Sequence, residues 1–341
     1  MALPASAISH EGNGPDPVEI AKQIREIAEE GAIDHLVIEC NPEIPAMAYA
    51  SIFLPNMPHP LTKVAWLTTT ALVISPSDLL DALVDRRAVA HLASPCLLAE
   101  QLEFVDHVIL DGPQSDPNFK RARAIALTLN PRAEVRHLSQ ETLERVLEDN
   151  GSSFDFNAGL EGAGWRQLID AEGLGHSKQD NLTAFAYRAR TPFHAARFWA
   201  LLEKELPGIF RAKGFFWLAT RMDLVGGLNL AGSELHFAPA GTWWAARDDH
   251  ARELEMPERT RKQWKEPFGD RRQAIAFMGI DVDPQTLKTQ LDACLLTDSE
   301  MTAGKEGWRN LTDPFPSWSA HAHEHECDHD HEAGEHECCH H

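Results

Sequence analysis

Between Asp16 and His137 the sequence alternates segments of helical periodicity with short apolar runs of strand length, and this alternation is the strongest constraint on the fold. A helix between successive strands carries the chain back across the sheet, so the strands run parallel with helices on their faces. Asp16 caps a helix in which Val18, Ala21, Ile24, Ile27 and Ala28 recur at helical spacing until Gly31 stops it. Residues 33–39 predict a strand, 46–54 a short amphipathic segment bracketed by prolines, and 63–75 a further β-prone run. Ser75-Pro76-Ser77-Asp78 starts a helix over 79–84, with further helices over 97–104 and 119–129 and strands over 107–110 and 134–137. Residues 1–17, rich in Gly and Pro, are expected to lack regular structure. Residues 1–150 thus read as an α/β domain built on a partial doubly wound parallel sheet.

The pattern changes across residues 151–181, where Gly159, Gly162, Gly164, Gly173 and Gly175 point to a linker. Beyond it come a strand over 182–190, a helix over 192–206 opened by Thr191 as cap and Pro192 as first residue, and a strand over 214–220. Three more strands are expected over 235–237, 241–246 and 273–279, then a helix over 284–294. Strands in runs with two helices predict an α+β domain over 182–318, with its sheet covered on one face.

Residues 319–341 cannot join any core. The last 21 hold eight His (His321, His323, His325, His329, His331, His336, His340, His341), three Cys (Cys327, Cys338, Cys339) and seven Asp or Glu. Imidazole and thiolate are the donors that borderline-soft divalent ions prefer, so these eleven side chains are the candidate metal ligands. Zinc is the expected ion, with nickel, cobalt and copper suited to the same donors. A tail without a fixed fold offers interchangeable ligand sets, so several exchangeable ions are expected. Two matches to HExxH within it, at His325 and His336, lack an apolar face to dock a helix and follow from composition.

A net charge of −21 repels phosphate backbones, which argues against nucleic acid and anionic membranes as partners. No apolar run reaches the roughly 18 residues that span a bilayer, and a cytoplasmic location is expected. Cys40, Cys96 and Cys294 lie far apart among apolar neighbours and read as reduced core thiols.

Several blocks resemble the CobW-type GTPase metallochaperones, in particular their zinc-homeostasis branch. They are Tyr187-Arg188-Ala189-Arg190, Pro192-Phe193-His194, the run from Arg211 to Arg221 (RAKGFFWLATR), Ala240-Gly241-Thr242-Trp243-Trp244, Phe268-Gly269-Asp270-Arg271-Arg272-Gln273, Leu295-Leu296-Thr297-Asp298 and the run from Asp313 to Trp318 (DPFPSW). Leu36-Val37-Ile38-Glu39 and the run from Gln101 to Asp106 (QLEFVD) resemble the later part of the same family's GTPase domain. The resemblance implies a protein that binds and delivers metal to a client metalloprotein or partner subunit.

The family's nucleotide signatures are missing. No Gly-Lys-Ser/Thr occurs in the chain, and Asp111-Gly112-Pro113-Gln114 stands where the guanine-reading Asn-Lys-x-Asp is expected. The family's CxCC motif is absent too, with His10-Glu11-Gly12-Asn13 at its place. The expectation is a zinc-handling protein with a degenerate GTPase domain and no catalytic or nucleotide-binding residues. The alternative is a GTP-hydrolysing zinc metallochaperone, using GTP and magnesium, whose P-loop is missing from this chain. His194 reads as structural, and Asp270-Arg271-Arg272 as either an ion-pair network or a client contact.

Overall fold

The computed structural model describes residues 5–8, 16–31, 33, 35–57, 61–92, 94–148, 153–171, 177–179, 181–248 and 255–318. Strand β1 (Ala5–Ile8) pairs in parallel with β2 (His35–Ile38), so part of the segment expected to lack structure is a strand. Between them runs α1 (Pro17–Glu30), where Asp16 accepts from the Glu19 N–H at 2.8 Å and Gly31 ends the helix at φ 66°. After α2 (Ala46–Ser51), the β-prone run 63–75 narrows to β3 (Ala71–Ile74), because the Val64 and Ala65 N–H groups turn back to the Leu61 carbonyl. Ser75, Ser94 and Asp116 cap α3 (Pro76–Leu83), α4 (Pro95–Phe104) and α5 (Pro117–Leu129), each opened by a proline. Strands β4 (His107–Leu110) and β5 (Glu134–His137) complete a three-stranded parallel sheet in the order β3-β4-β5. The expected parallel α/β architecture is present, in two separate sheets.

After α6 (Gln140–Glu148), the stretch read as a linker folds, in its described part, into α7 (Phe156–Glu161) and α8 (Gly164–Asp170). Its glycines serve close packing rather than slack chain. A Cβ on Gly164 would lie 2.1 Å from the Thr128 carbonyl oxygen, and Trp165 and Ile169 are buried in the same core as α3, α4 and α5.

The C-terminal part is a six-stranded sheet in the order β10-β9-β8-β11-β7-β6, antiparallel throughout, built from β6 (Ser177–Gln179), β7 (Leu182–Ala189), β8 (Ile209–Phe216), β9 (Leu224–Ala231), β10 (Glu234–Thr242) and β11 (Gln273–Ile280). The two strands expected over 235–237 and 241–246 are one strand, irregular between Pro239 and Thr242, followed by a single 3-10 turn over Trp244–Ala246. Strand β9 was not anticipated, since Gly226 and Gly227 interrupt its pattern. Gly226 is needed there, because its Cβ would lie 2.4 Å from the Phe216 ring.

Both faces of this sheet are covered, which corrects the one-sided expectation. Along β11, Ile275 and Phe277 pack under α9 (Ala195–Leu202) and the helix Pro284–Asp292, while Ala274, Ala276 and Met278 pack against the α3, α4, α5 and α8 core. The expected helix over 192–206 shortens to α9 because Phe193 bridges Leu218 and Leu295, which holds residues 192–194 extended. Thr191 and Pro192 therefore lie outside the helix, and His194 is its N-cap without a side-chain bond.

Candidate metal centre

The candidate ligands of the tail, His321, His323, His325, Cys327, His329, His331, His336, Cys338, Cys339, His340 and His341, all lie outside the described residues. What is described is the anchor from which they extend. The Arg221 guanidinium donates to Asp313 at 2.8 and 3.0 Å and to the Phe315 and Pro316 carbonyls at 2.7 Å, and it lies 4.2 Å over the Trp318 ring. Thr220 adds a 2.6 Å bond to Asp313. Burial pushes the Asp313 carboxyl up, but the Arg221 and Thr220 donors outweigh it and bring the group below the usual carboxylate range. Phe315 then fills the aromatic core beside Phe198, Phe216, Trp199 and Phe237.

A second set of donors lies where α4 meets the edge strand β10. Residues 234–237 alternate, so Leu235 and Phe237 pack toward the α9 core while Glu234 and His236 share the opposite face. Cys96, the second residue of α4, faces that pair. Its N–H donates to Glu234 Oε2 at 3.2 Å, His236 Nε2 lies 3.7 Å from the same oxygen, and one ligand atom from each of the three residues lies within 4.8 Å of the others. Burial pushes the Cys96 thiol up to about 11, so in the free protein it is protonated and donates to the Asn229 and Glu234 carbonyls at 3.8 Å. Cys96 is buried, the Glu234 side chain is 30% exposed and that of His236 is 64% exposed, which makes a gradient from core to solvent.

Beneath this cluster the seam is ionic. Arg211, fully buried on β8, donates to Glu103 of α4 at 2.6 and 3.0 Å, to Asn229 at 2.5 Å and to the Leu230 carbonyl at 3.0 Å. Lys213 bonds Glu100 at 2.8 Å and approaches Glu103 at 3.5 Å. Every charge within this group has a partner of opposite sign.

The remaining sequence candidates resolve as structure. Asp270 accepts from the Trp244 and Ala245 N–H groups at 3.0 and 2.9 Å, and buried Arg271 donates to the Met222 carbonyl at 2.6 Å and to Asp223 at 3.2 Å. The block is an internal network. Burial, reinforced by Arg197, pushes His194 below the usual imidazole value, as suits a neutral structural side chain. Cys96 and Cys294 are buried free thiols as expected, whereas Cys40 is exposed at the end of β2, and this corrects its reading as a core thiol.

At the C-terminal ends of β4 and β5 a cavity of about 340 Å³ is lined by Gln114, Phe119, Arg123, Arg136, His137 and Arg145, among others. Gln114 presents an amide there, not the carboxylate that reads a guanine edge. The adjoining turn is filled from within, since the Asp111 N–H donates to the Ile74 carbonyl and a Cβ on Gly112 would lie 3.1 Å from Pro76.

Residues 182–295 match the family described as the cobalamin synthesis protein cobW C-terminal domain. The chain carries a CobW C-terminal domain. A zinc-regulated GTPase metalloprotein activator of Dictyostelium discoideum is 32% identical over 228 residues, which are 64% of this chain and 48% of that protein. A zinc chaperone of Mycobacterium tuberculosis is 32% identical over 250 residues, 70% of this chain and 57% of that one. The chain thus spans about half the length of the curated relatives it matches. Among solved structures, that of the Zn(II)-bound YjiA GTPase from E. coli aligns over 87% of this chain and 91% of that one, at 12% identity and a TM-score of 0.32.

Seen in three dimensions, the separated sequence blocks of the CobW domain meet one another: Arg221 clasps Asp313, and Gln273 donates to the Thr191 and Trp217 carbonyls while accepting from the Trp217 N–H. The Cys96, Glu234 and His236 cluster was missed in the sequence. A Glu-x-His pair inside a strand is a visible signal, but its partner lies 138 residues earlier and only the fold brings it close.

Proposed function

We propose that this protein binds zinc and hands it on to a client metalloprotein, with the His/Cys tail as its main metal store and the CobW domain as the folded body that presents it. The observation that carries this reading is the junction of eleven His and Cys donors in the last 21 residues to a CobW C-terminal domain. The names of the two relatives, a zinc chaperone and a zinc-regulated activator of metalloproteins, support the same metal and the same kind of partner. Equilibrium dialysis tests the store. The full chain is expected to bind more than one zinc ion, and a chain ending at Ser319 to lose most of that capacity. Full stoichiometry in the shortened chain would refute it.

The same reading holds that this chain does not hydrolyse GTP by itself. A phosphate cradle needs converging backbone N–H groups and a lysine, and no Gly-Lys-Ser/Thr is present to form it. The Gln114 amide and the filled turn before it do not fit guanine, so no step is assigned through a nucleotide. One observation favours the second reading, a GTPase whose P-loop strand comes from outside these residues. Parallel sheets are normally buried on both faces, yet β2 and β3 each end a sheet, and Val37 and Val73 on them are 44% and 53% exposed. Titration with a fluorescent GTP analogue and magnesium separates the two. No saturation below about millimolar supports the first reading, since losing a charge-assisted contact alone costs about 1.5–3 kcal/mol. Micromolar binding competed by GTP but not ATP establishes the second.

A further inference from the structure

We infer that Cys96, Glu234 and His236 form a second metal site, distinct from the tail, which takes one zinc-class divalent ion and joins α4 to the edge of the CobW-domain sheet. Three donors of different chemistry converge here: a thiol, a carboxylate and an imidazole, all within 4.8 Å of one another. Tetrahedral zinc with bonds of about 2.0–2.3 Å places its ligand atoms roughly 3.5 Å apart, so closure needs a movement of only about 1 Å. The exposed His236 side chain can make it by rotation, while buried Cys96 and the partly buried Glu234 stay fixed by the helix start and the strand.

Three protein ligands leave the fourth position of a tetrahedral ion open toward solvent on the His236 side. Closed structural sites use four protein ligands, and an open position is what exchange of an ion requires. On binding, the ion replaces the Cys96 thiol proton, which passes to solvent. The carbonyls of Asn229 and Glu234, which accept from that thiol in the free protein, are left to the surrounding backbone. The neighbouring cations do not oppose the ion directly, because Arg211 is held by Glu103 and Lys213 by Glu100.

The site ties together segments 138 residues apart, so an ion there stabilises the contact between the first half of the chain and the CobW domain. A structural explanation competes with this one. Glu234 accepts the Cys96 N–H near the start of α4, and the cluster could be a helix cap alone. Glu234→Gln separates the two, because an amide oxygen keeps the cap and loses the anionic ligand. His236→Ala removes an exposed ligand without disturbing the core.

The experiment uses the full chain, stripped with chelator and then given zinc(II) alone, as wild type, Glu234→Gln and His236→Ala. Tail sites are the same in all three and cancel in the comparison. With free zinc at about 100 times the dissociation constant, the wild type is expected to melt about 4 °C higher. Both variants should keep the zinc-free melting temperature and lose most of the rise. Alkylation of Cys96, read by peptide mapping, should slow about tenfold or more with zinc in the wild type only. Equal zinc-dependent rises in all three proteins would overturn the site, whether or not Cys96 reacts. So would a rise in none.

Discussion

Arg211→Met tests the seam between the two halves of the chain. The substitution keeps the aliphatic length of a fully buried side chain, removes both bonds to Glu103, and leaves Asn229 Oδ1 and the Leu230 carbonyl without that donor. Removing one partner of a buried ion pair typically costs about 3–5 kcal/mol, because the other charge stays buried. Lys213 is 3.5 Å from Glu103 and 21% exposed, so it neutralises part of that charge and places the expected loss near the lower end, about 3 kcal/mol. For a protein of this size that corresponds to roughly 4 °C in melting temperature. Urea unfolding followed by circular dichroism and tryptophan fluorescence measures it. Adding Glu103→Gln in the Arg211→Met background removes the orphaned charge and should recover at least about 1 kcal/mol. A loss below about 1 kcal/mol for the single variant, or no recovery in the double, would refute the account of a charge that needs its partner.

Two further outcomes are expected. Hydrogen bonds from Arg197 at 2.7 and 2.8 Å hold the Glu300 carboxyl down to about 2, so its contribution is complete above the ordinary value of 4.5 and fades as pH falls from there toward 2. Glu300 is 26% exposed, which reduces that contribution to about 1–2 kcal/mol; the stability gap between wild type and Glu300→Gln should therefore be present at pH 7 and shrink at pH 3, and a gap independent of pH would count against it. Gly232→Ala should cost more than about 2 kcal/mol in chemical denaturation, since the residue has φ 53° in the β9–β10 turn and its Cβ would sit 2.2 Å from the Ala82 carbonyl oxygen.

The local grammar of most of the first half was readable because those elements carry their own punctuation, whereas β1 and α6 were not expected. Strands His107–Leu110 and Glu134–His137 have the expected bounds, and the cap-proline pairs Ser75-Pro76, Ser94-Pro95 and Asp116-Pro117 start helices. Errors arose where a distant partner decides the conformation. Phe193 stays extended because Leu218 and Leu295 pair with it, against a Thr191-Pro192 signal that favours a helix. Residues 164–170 are a packed helix because Thr128 and the sheet lie against them, which a glycine count cannot reveal. The His and Cys run of the tail, proposed to hold metal, is visible in composition alone. Cys96, Glu234 and His236 are not, because only the docking of α4 on β10 assembles them.

The position of β11 also sets an order of events during synthesis. In space it lies between β8 and β7, yet it is the last strand of the sheet to be made. Until Gln273 to Ile280 emerge, β7 and β8 have nothing between them, and each offers a bare hydrogen-bonding edge with apolar side chains on both sides. The 92 residues from Leu182 to Gln273 take about 5–20 s to translate, and once β8 is made the nascent CobW domain is an open template for other strands until β11 emerges. A ribosome that stalls before residue 273 would release a chain prone to aggregation, whereas one that stalls after Trp318 would release a chain whose sheet can close.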